Sequence, residues 1–171
     1  MRKLLAILVP AVCFGTFCTT SLIGNAAERI DQTSIKSNPR IVSRNATTLV
    51  DVPNHEVGQE VQLSEIKFSH PAFKVKEEWV YNQFNYVGGS GPHWGTFVDV
   101  HEDGSQTFGK YEGAQKTVAN ADGSWVTTWE GTYKYTGGSG KFKNIKGSGT
   151  YKGKASSAGD FREEGKESLE Y

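Results

Sequence analysis

Glycine placement constrains this chain more than any other feature. Seventeen of the 20 glycines lie from Gly88 onward, where they separate short β-prone runs at intervals of roughly ten residues. Gly88-Gly89-Ser90-Gly91-Pro92 and Gly137-Gly138-Ser139-Gly140 are strong breakers. Asp103-Gly104 and Asp122-Gly123 are hairpin signals, because glycine accepts positive φ at little steric cost. Nowhere do apolar residues recur at helical spacing between caps, so the pattern predicts an all-β antiparallel meander.

The runs between breakers give the expected strands. Lys74–Val87, His93–His101, Gln106–Glu112, Gln115–Ala119 and Ser124–Tyr135 are the main ones, with short closing strands near Gly149–Lys154 and Gly159–Lys166. Earlier, Val57, Gln59, Val61 and Leu63 alternate with Gly58, Glu60, Gln62 and Ser64, which suits a half-buried strand. So many hairpins are expected to close into a barrel or fold into a sandwich, since closure removes vulnerable sheet edges.

Strand parity locates the aromatic surface. Trp125, Thr127, Trp129, Gly131, Tyr133 and Tyr135 share one face of their strand, and Val126, Thr128, Glu130, Thr132 and Lys134 share the other. The aromatic face can pack a core, stand outside a polar lumen, or line a ligand cavity. A packed core is the first expectation, because aromatic side chains dominate burial energetics.

The N-terminus reads differently. Arg2 and Lys3 precede an apolar run, Leu4–Phe17, and a small-residue stretch ends in Gly24-Asn25-Ala26-Ala27. Positive charge, apolar core and small residues in that order are the signature of a cleaved secretory signal, here residues 1–27 with cleavage after Ala26 or Ala27. The apolar core, about 14 residues, falls short of the roughly 20 that span a bilayer, so no stable membrane anchor is expected after cleavage. Cys13 and Cys18 follow Val12 and Phe17 rather than small residues, which argues against lipidation. A periplasmic or secreted location is the expectation.

Both cysteines fall within that signal, leaving a mature chain without disulfides, thiol nucleophile or thiolate-bound metal. Packing and the backbone ladder must then supply the stability. Loss of Arg2 and Lys3 takes the 19 basic residues to 17 against 19 acidic ones, a formal charge of −2. No basic stripe suggests nucleic acid. Residues 28–53 are polar and without aromatics, and read as an extended arm ahead of a barrel domain over residues 54–171.

The segment Trp129-Glu130-Gly131-Thr132-Tyr133-Lys134-Tyr135-Thr136-Gly137-Gly138-Ser139-Gly140-Lys141-Phe142-Lys143-Asn144-Ile145-Lys146-Gly147-Ser148-Gly149-Thr150 resembles the strand–turn–strand of the allene oxide cyclase and dirigent families. There Gly-Gly-Thr-Gly precedes an aromatic residue and a later glycine; here Ser139, Phe142 and Gly147 occupy those places. The likeness is closer still to exported bacterial proteins with an allene oxide cyclase-like barrel. It implies a single calycin-like antiparallel barrel of about eight strands, with Phe142 plugging one end. It also implies chemistry without metal or organic cofactor, by cyclisation or radical coupling of reactive small molecules, and association into homo-oligomers. The motif is architectural, so no functional residue is carried over from it.

Several residues can carry chemistry. His93, Asp99 and His101 share one strand face, but His93 and His101 would lie about 26 Å apart along it, too far to share a metal ion. No metal site is expected. Glu77, Glu78 and Glu130 are the acids of interest, since a carboxylate inside a barrel has a raised pKa and can act as a base. Glu130 and Tyr81 are the catalytic candidates. Trp79, Trp94, Trp125 and Trp129, on neighbouring strands, are the ligand-binding candidates. Three functions follow: a barrel binding a small apolar or aromatic molecule, a cofactor-independent isomerase or cyclase, or a structural protein of the cell envelope.

Overall fold

A computed structural model describes residues 29–171. The expected signal segment, its cleavage site and both cysteines lie outside the described residues. Eight antiparallel strands form one closed barrel: β1 (Ile30–Leu49), β2 (His55–Phe68), β3 (Val75–Val87), β4 (Gly91–His101), β5 (Gln106–Ala119), β6 (Trp125–Gly138), β7 (Lys146–Ser156) and β8 (Phe161–Glu170). Each strand pairs with its chain neighbours, and β1 closes the ring on β8.

The all-β antiparallel meander is as the glycine pattern predicts, its closure takes the barrel rather than the sandwich, and the Asp-Gly turns are where expected, with Gly104 at φ 79° and Gly123 at φ 83°. Three boundaries differ. Gln106–Ala119 is one strand, not two, because Gly113 and Ala114 continue the ladder to β6. The closing strands β7 and β8 are longer than the sequence suggests. Most of the expected arm is strand β1, pairing β2 from Ser34 to Leu49 and β8 from Ile30 to Lys36. Its polar sequence concealed it: of its inward side chains, Gln32 donates to Glu167 beside the plug, while Ser34 and Lys36 line the lumen, with Lys36 between Glu78 and Glu163.

β1 carries two bulges, each adding one residue relative to β2, between Ser37 and Arg40 and between Ile41 and Ser43. Asn38, at φ 51°, takes the left-handed turn of the first. Each bulge re-aims the strand's side chains, so that Lys36, Ile41 and Arg44 all reach the lumen wall.

The two barrel ends are unlike. At one, a 3₁₀ turn (Gly140–Phe142) folds inward, and Phe142 is fully buried. Its ring packs on Phe73 (centroids 4.7 Å), His101 (4.4 Å) and Tyr171 (4.9 Å). Ile30, Val80, Phe97, Tyr135, Ile145 and Leu169 complete this core. The plug expected at Phe142 is therefore present. The opposite end, the mouth, is framed by Arg44, Glu56, Trp125 and Phe161.

Candidate functional site

Between mouth and plug lies a lumen of about 510 Å³. Its width depends on how β6 and β7 face each other. Across that ladder Trp129 opposes Gly153, Gly131 opposes Tyr151, and Tyr133 opposes Gly149. The Trp129 indole lies flat over Gly153, where a Cβ would sit 2.2 Å from Cε2. Large rings thus lie against the wall over glycines rather than projecting across the barrel.

The aromatic parity read from the sequence is inward, and it serves two of its possible roles by depth. Tyr135 belongs to the packed plug, while Trp125, Trp129 and Tyr133 line the open space above it. On β2 the alternation is the reverse of the usual one. Glu60, Gln62 and Ser64 face the lumen, leaving Val57, Val61 and Leu63 on the outer face.

Three polar groups are held inside. In the first, Lys36 Nζ lies 2.8 Å from Glu78 and 3.0 Å from Glu163. Ser64 donates to Glu78 at 2.9 Å, and the Trp129 Nε1–H donates to Glu163 at 2.6 Å. Burial disfavours the Lys36 charge, but Glu163 and Glu78 overcome it and hold the ammonium above its ordinary range.

The second group sits against the plug. Glu167 accepts from Tyr133 (2.7 Å), from Tyr135 (2.9 Å) and from the Gln32 amide. Burial raises its carboxyl despite those three donors. Asp99, 1% exposed, accepts from the Thr107 hydroxyl at 2.8 Å, and its Oδ1 has no partner. Burial first, then Glu78 and Glu167, hold the Asp99 carboxyl well above the usual carboxylate range. His101 Nε2 is 3.4 Å from Thr107 Oγ1. Because that hydroxyl donates to Asp99, it accepts from His101, which fixes the proton on Nε2 and leaves Nδ1 bare. Burial, then Lys141, lowers His101 to about 4.

The third group lies nearer the mouth. Arg44 pairs with Glu56 (2.6 Å), approaches Glu60 (3.6 Å) and stacks over Phe84, 4.9 Å from its centroid. Glu60 also accepts from the amides of Gln62 (2.6 Å) and Asn82 (3.3 Å). Asn82 in turn accepts from the Tyr111 hydroxyl at 2.7 Å. Tyr151 shares a 2.7 Å hydrogen bond with His93 Nε2, and burial lowers the His93 pKa.

The sequence-predicted residues divide between the two faces. Trp125 and Trp129 line the lumen. Trp79 is on the outer face opposite Leu63 and Val98, and Trp94, 41% exposed, donates there to Gln83. Tyr81, 46% exposed, and Glu130 also point outward, away from any lumen ligand. Period-two parity is the reason: Tyr81 alternates with the inward Val80 and Asn82, and Glu130 with the inward Trp129 and Gly131. Of the other acids weighed, Glu78 faces the lumen. So do His93 and Asp99, on a β4 that runs without a bulge against β5.

Sequence reading missed Lys36, Tyr111, Tyr151, Glu163 and Glu167. Lys36 lies in the polar segment that reads as an arm, Glu163 lies inside the expected strand Gly159–Lys166 with nothing in its parity to mark it as inward, and Glu167 lies beyond that strand's expected end. Tyr111 and Tyr151 could have been found as the aromatic partners of inward glycines across the ladder. Among the described residues, no three His, Asp or Glu side chains converge as metal ligands. The chain matches no protein-family model, no curated protein and no solved structure, so the lumen itself carries the functional argument.

Proposed function

We propose that this protein is an exported barrel that binds a small organic molecule, largely aromatic or apolar in body, within its lumen. The 510 Å³ cavity carries the reading. Eight-stranded barrels are just wide enough for side chains to fill or for one small ligand. Here wall glycines keep the rings of Trp129, Tyr133 and Tyr151 out of the centre, and the space left falls within the roughly 300–1,000 Å³ of small-molecule sites. Export is supported by the signal-like order of Arg2–Lys3, Leu4–Phe17 and Ala26–Ala27.

Titration with phenolic and lipid-like compounds, followed by tryptophan fluorescence, tests it. A saturable change is expected that survives Trp79→Phe with Trp94→Phe and is lost when Trp125 and Trp129 are both replaced by Phe. No saturable response across the panel removes the reading.

One observation favours turnover as a second reading. Asp99, its carboxyl raised and its Oδ1 unpartnered at the lumen floor, has the properties of an internal acid for a cofactor-independent isomerase or cyclase. It would replace Tyr81 and Glu130 in that role. Asp99→Asn that binds but no longer converts a substrate would support turnover; conversion at the parent rate would exclude Asp99 as its acid, and a parent protein that binds but converts nothing across the panel would exclude turnover.

A further inference from the structure

Resting on the lumen-binding reading, we propose that the molecule taken up is an organic cation, an ammonium group carried on an aromatic or apolar body. The charges lining the lumen do not balance. Among the described residues, Glu56, Glu60, Glu78 and Glu163 face only Lys36 and Arg44, and Asp99 adds a fifth carboxyl. Each cation is already shared between two carboxylates, Lys36 by Glu78 and Glu163, and Arg44 by Glu56 and Glu60. Glu60 is the least compensated: its nearest contacts besides the distant Arg44 Nε are the neutral amides of Gln62 and Asn82. Surplus carboxylate inside a barrel is costly, and nothing in the fold's packing recovers that cost. A cation entering the lumen offsets that cost.

The rings point to the same ligand class. Tyr111, Tyr133 and Tyr151 spend their hydroxyls on Asn82, Glu167 and His93, so their faces, not their hydroxyls, are left for a guest. Their centroids lie 6.1 to 6.4 Å apart around Tyr151, and ring faces attract an ammonium placed over them. Independently, Asp99 is 1% exposed on the lumen wall with a bare Oδ1, an acceptor awaiting a donor. An inorganic ion is the poorer occupant, since no three His, Asp or Glu side chains converge among the described residues. An anion would meet carboxylate at every depth.

Calorimetric titration of the full mature chain with naphthylmethylammonium, naphthylmethanol and naphthoate holds the body constant and varies the charge. The ammonium is expected to bind about tenfold or more tighter than the alcohol, as one charge-assisted contact implies, with the carboxylate weakest. Glu60→Gln is expected to remove most of the ammonium's advantage and leave alcohol binding unchanged, which also certifies that the variant is folded. If the alcohol or carboxylate binds parent protein as tightly as the ammonium, the cation inference is overturned while lumen binding stands. Binding of none of the three overturns both.

Discussion

Glu78 and Asp99 are register partners on β3 and β4, both turned into the lumen, but they are treated differently. Lys36 Nζ lies 2.8 Å from Glu78, whereas Asp99 receives only the Thr107 hydroxyl and keeps a bare Oδ1. One carboxyl is thus compensated in place. The other is left without a cation, and burial first, then the charges of Glu78 and Glu167, raise its pKa well above the usual carboxylate range.

That difference sets a pH dependence. A raised folded pKa means that the stability tied to Asp99 is complete below about pH 4, the ordinary carboxylate value, and is lost as pH rises toward the folded value. Asp99→Asn removes the loss while retaining an acceptor for Thr107. The variant is expected to melt a few degrees above the parent at neutral pH, with the gap closing toward about pH 4. Thermal unfolding followed by circular dichroism across that range measures it; a variant that melts lower at neutral pH contradicts the assignment.

His101 works in the opposite direction. Its folded pKa of about 4 lies below the ordinary 6.5, so its contribution is present above pH 6.5 and lost as pH falls through about 4. The full difference is on the order of 3 kcal/mol. His101→Phe places a neutral ring among Phe73 and Phe142 and is expected to flatten the acid limb of the stability curve. Urea titrations at successive pH values would show an unchanged slope if His101 is not responsible.

Among the described residues, Lys36 is the only cation reaching Glu78 and Glu163, and all three side chains are largely shielded. Lys36→Met strands two carboxylates and is expected to cost about 3–5 kcal/mol. Adding Glu78→Gln and Glu163→Gln removes the stranded charges and should recover most of that loss. Chemical denaturation of the single and triple variants checks this, and a triple variant no more stable than the single would show that the charges are not what matters.

The glycine wall is open to a double-mutant test. Gly153→Ala sets a methyl 2.2 Å from Trp129 Cε2 and is expected to destabilise the barrel by about 1–3 kcal/mol. In a Trp129→Leu background the same change should cost distinctly less, because the ring it displaces is gone. Equal costs in both backgrounds would mean that Gly153 serves the backbone rather than the indole.

The local signals in this sequence are strong, and they set the local structure. Gly104 and Gly123 fix two hairpins, the breakers near Gly88 and Gly137 delimit β3 and β6, and alternation along Trp125–Tyr135 puts four aromatic rings on one face. Parity also made Tyr81 and Glu130 incompatible with a lumen holding Asn82 and Trp129, once the inward face was known. What parity cannot say is which face is inward. That choice is made by closure, when β1 pairs with β8 and brings together Lys36, Glu78 and Glu163 from three strands far apart in the chain. A strand whose inward side chains pair with other polar side chains inverts the usual pattern, so Glu60, Gln62 and Ser64 read as surface and Val57, Val61 and Leu63 as core. Glycine spacing by itself dictated an antiparallel meander of short strands; only the tertiary structure, through β1–β8 closure and the two bulges of β1, decided that it is a barrel rather than a sandwich and that its interior is an acidic, ring-lined lumen.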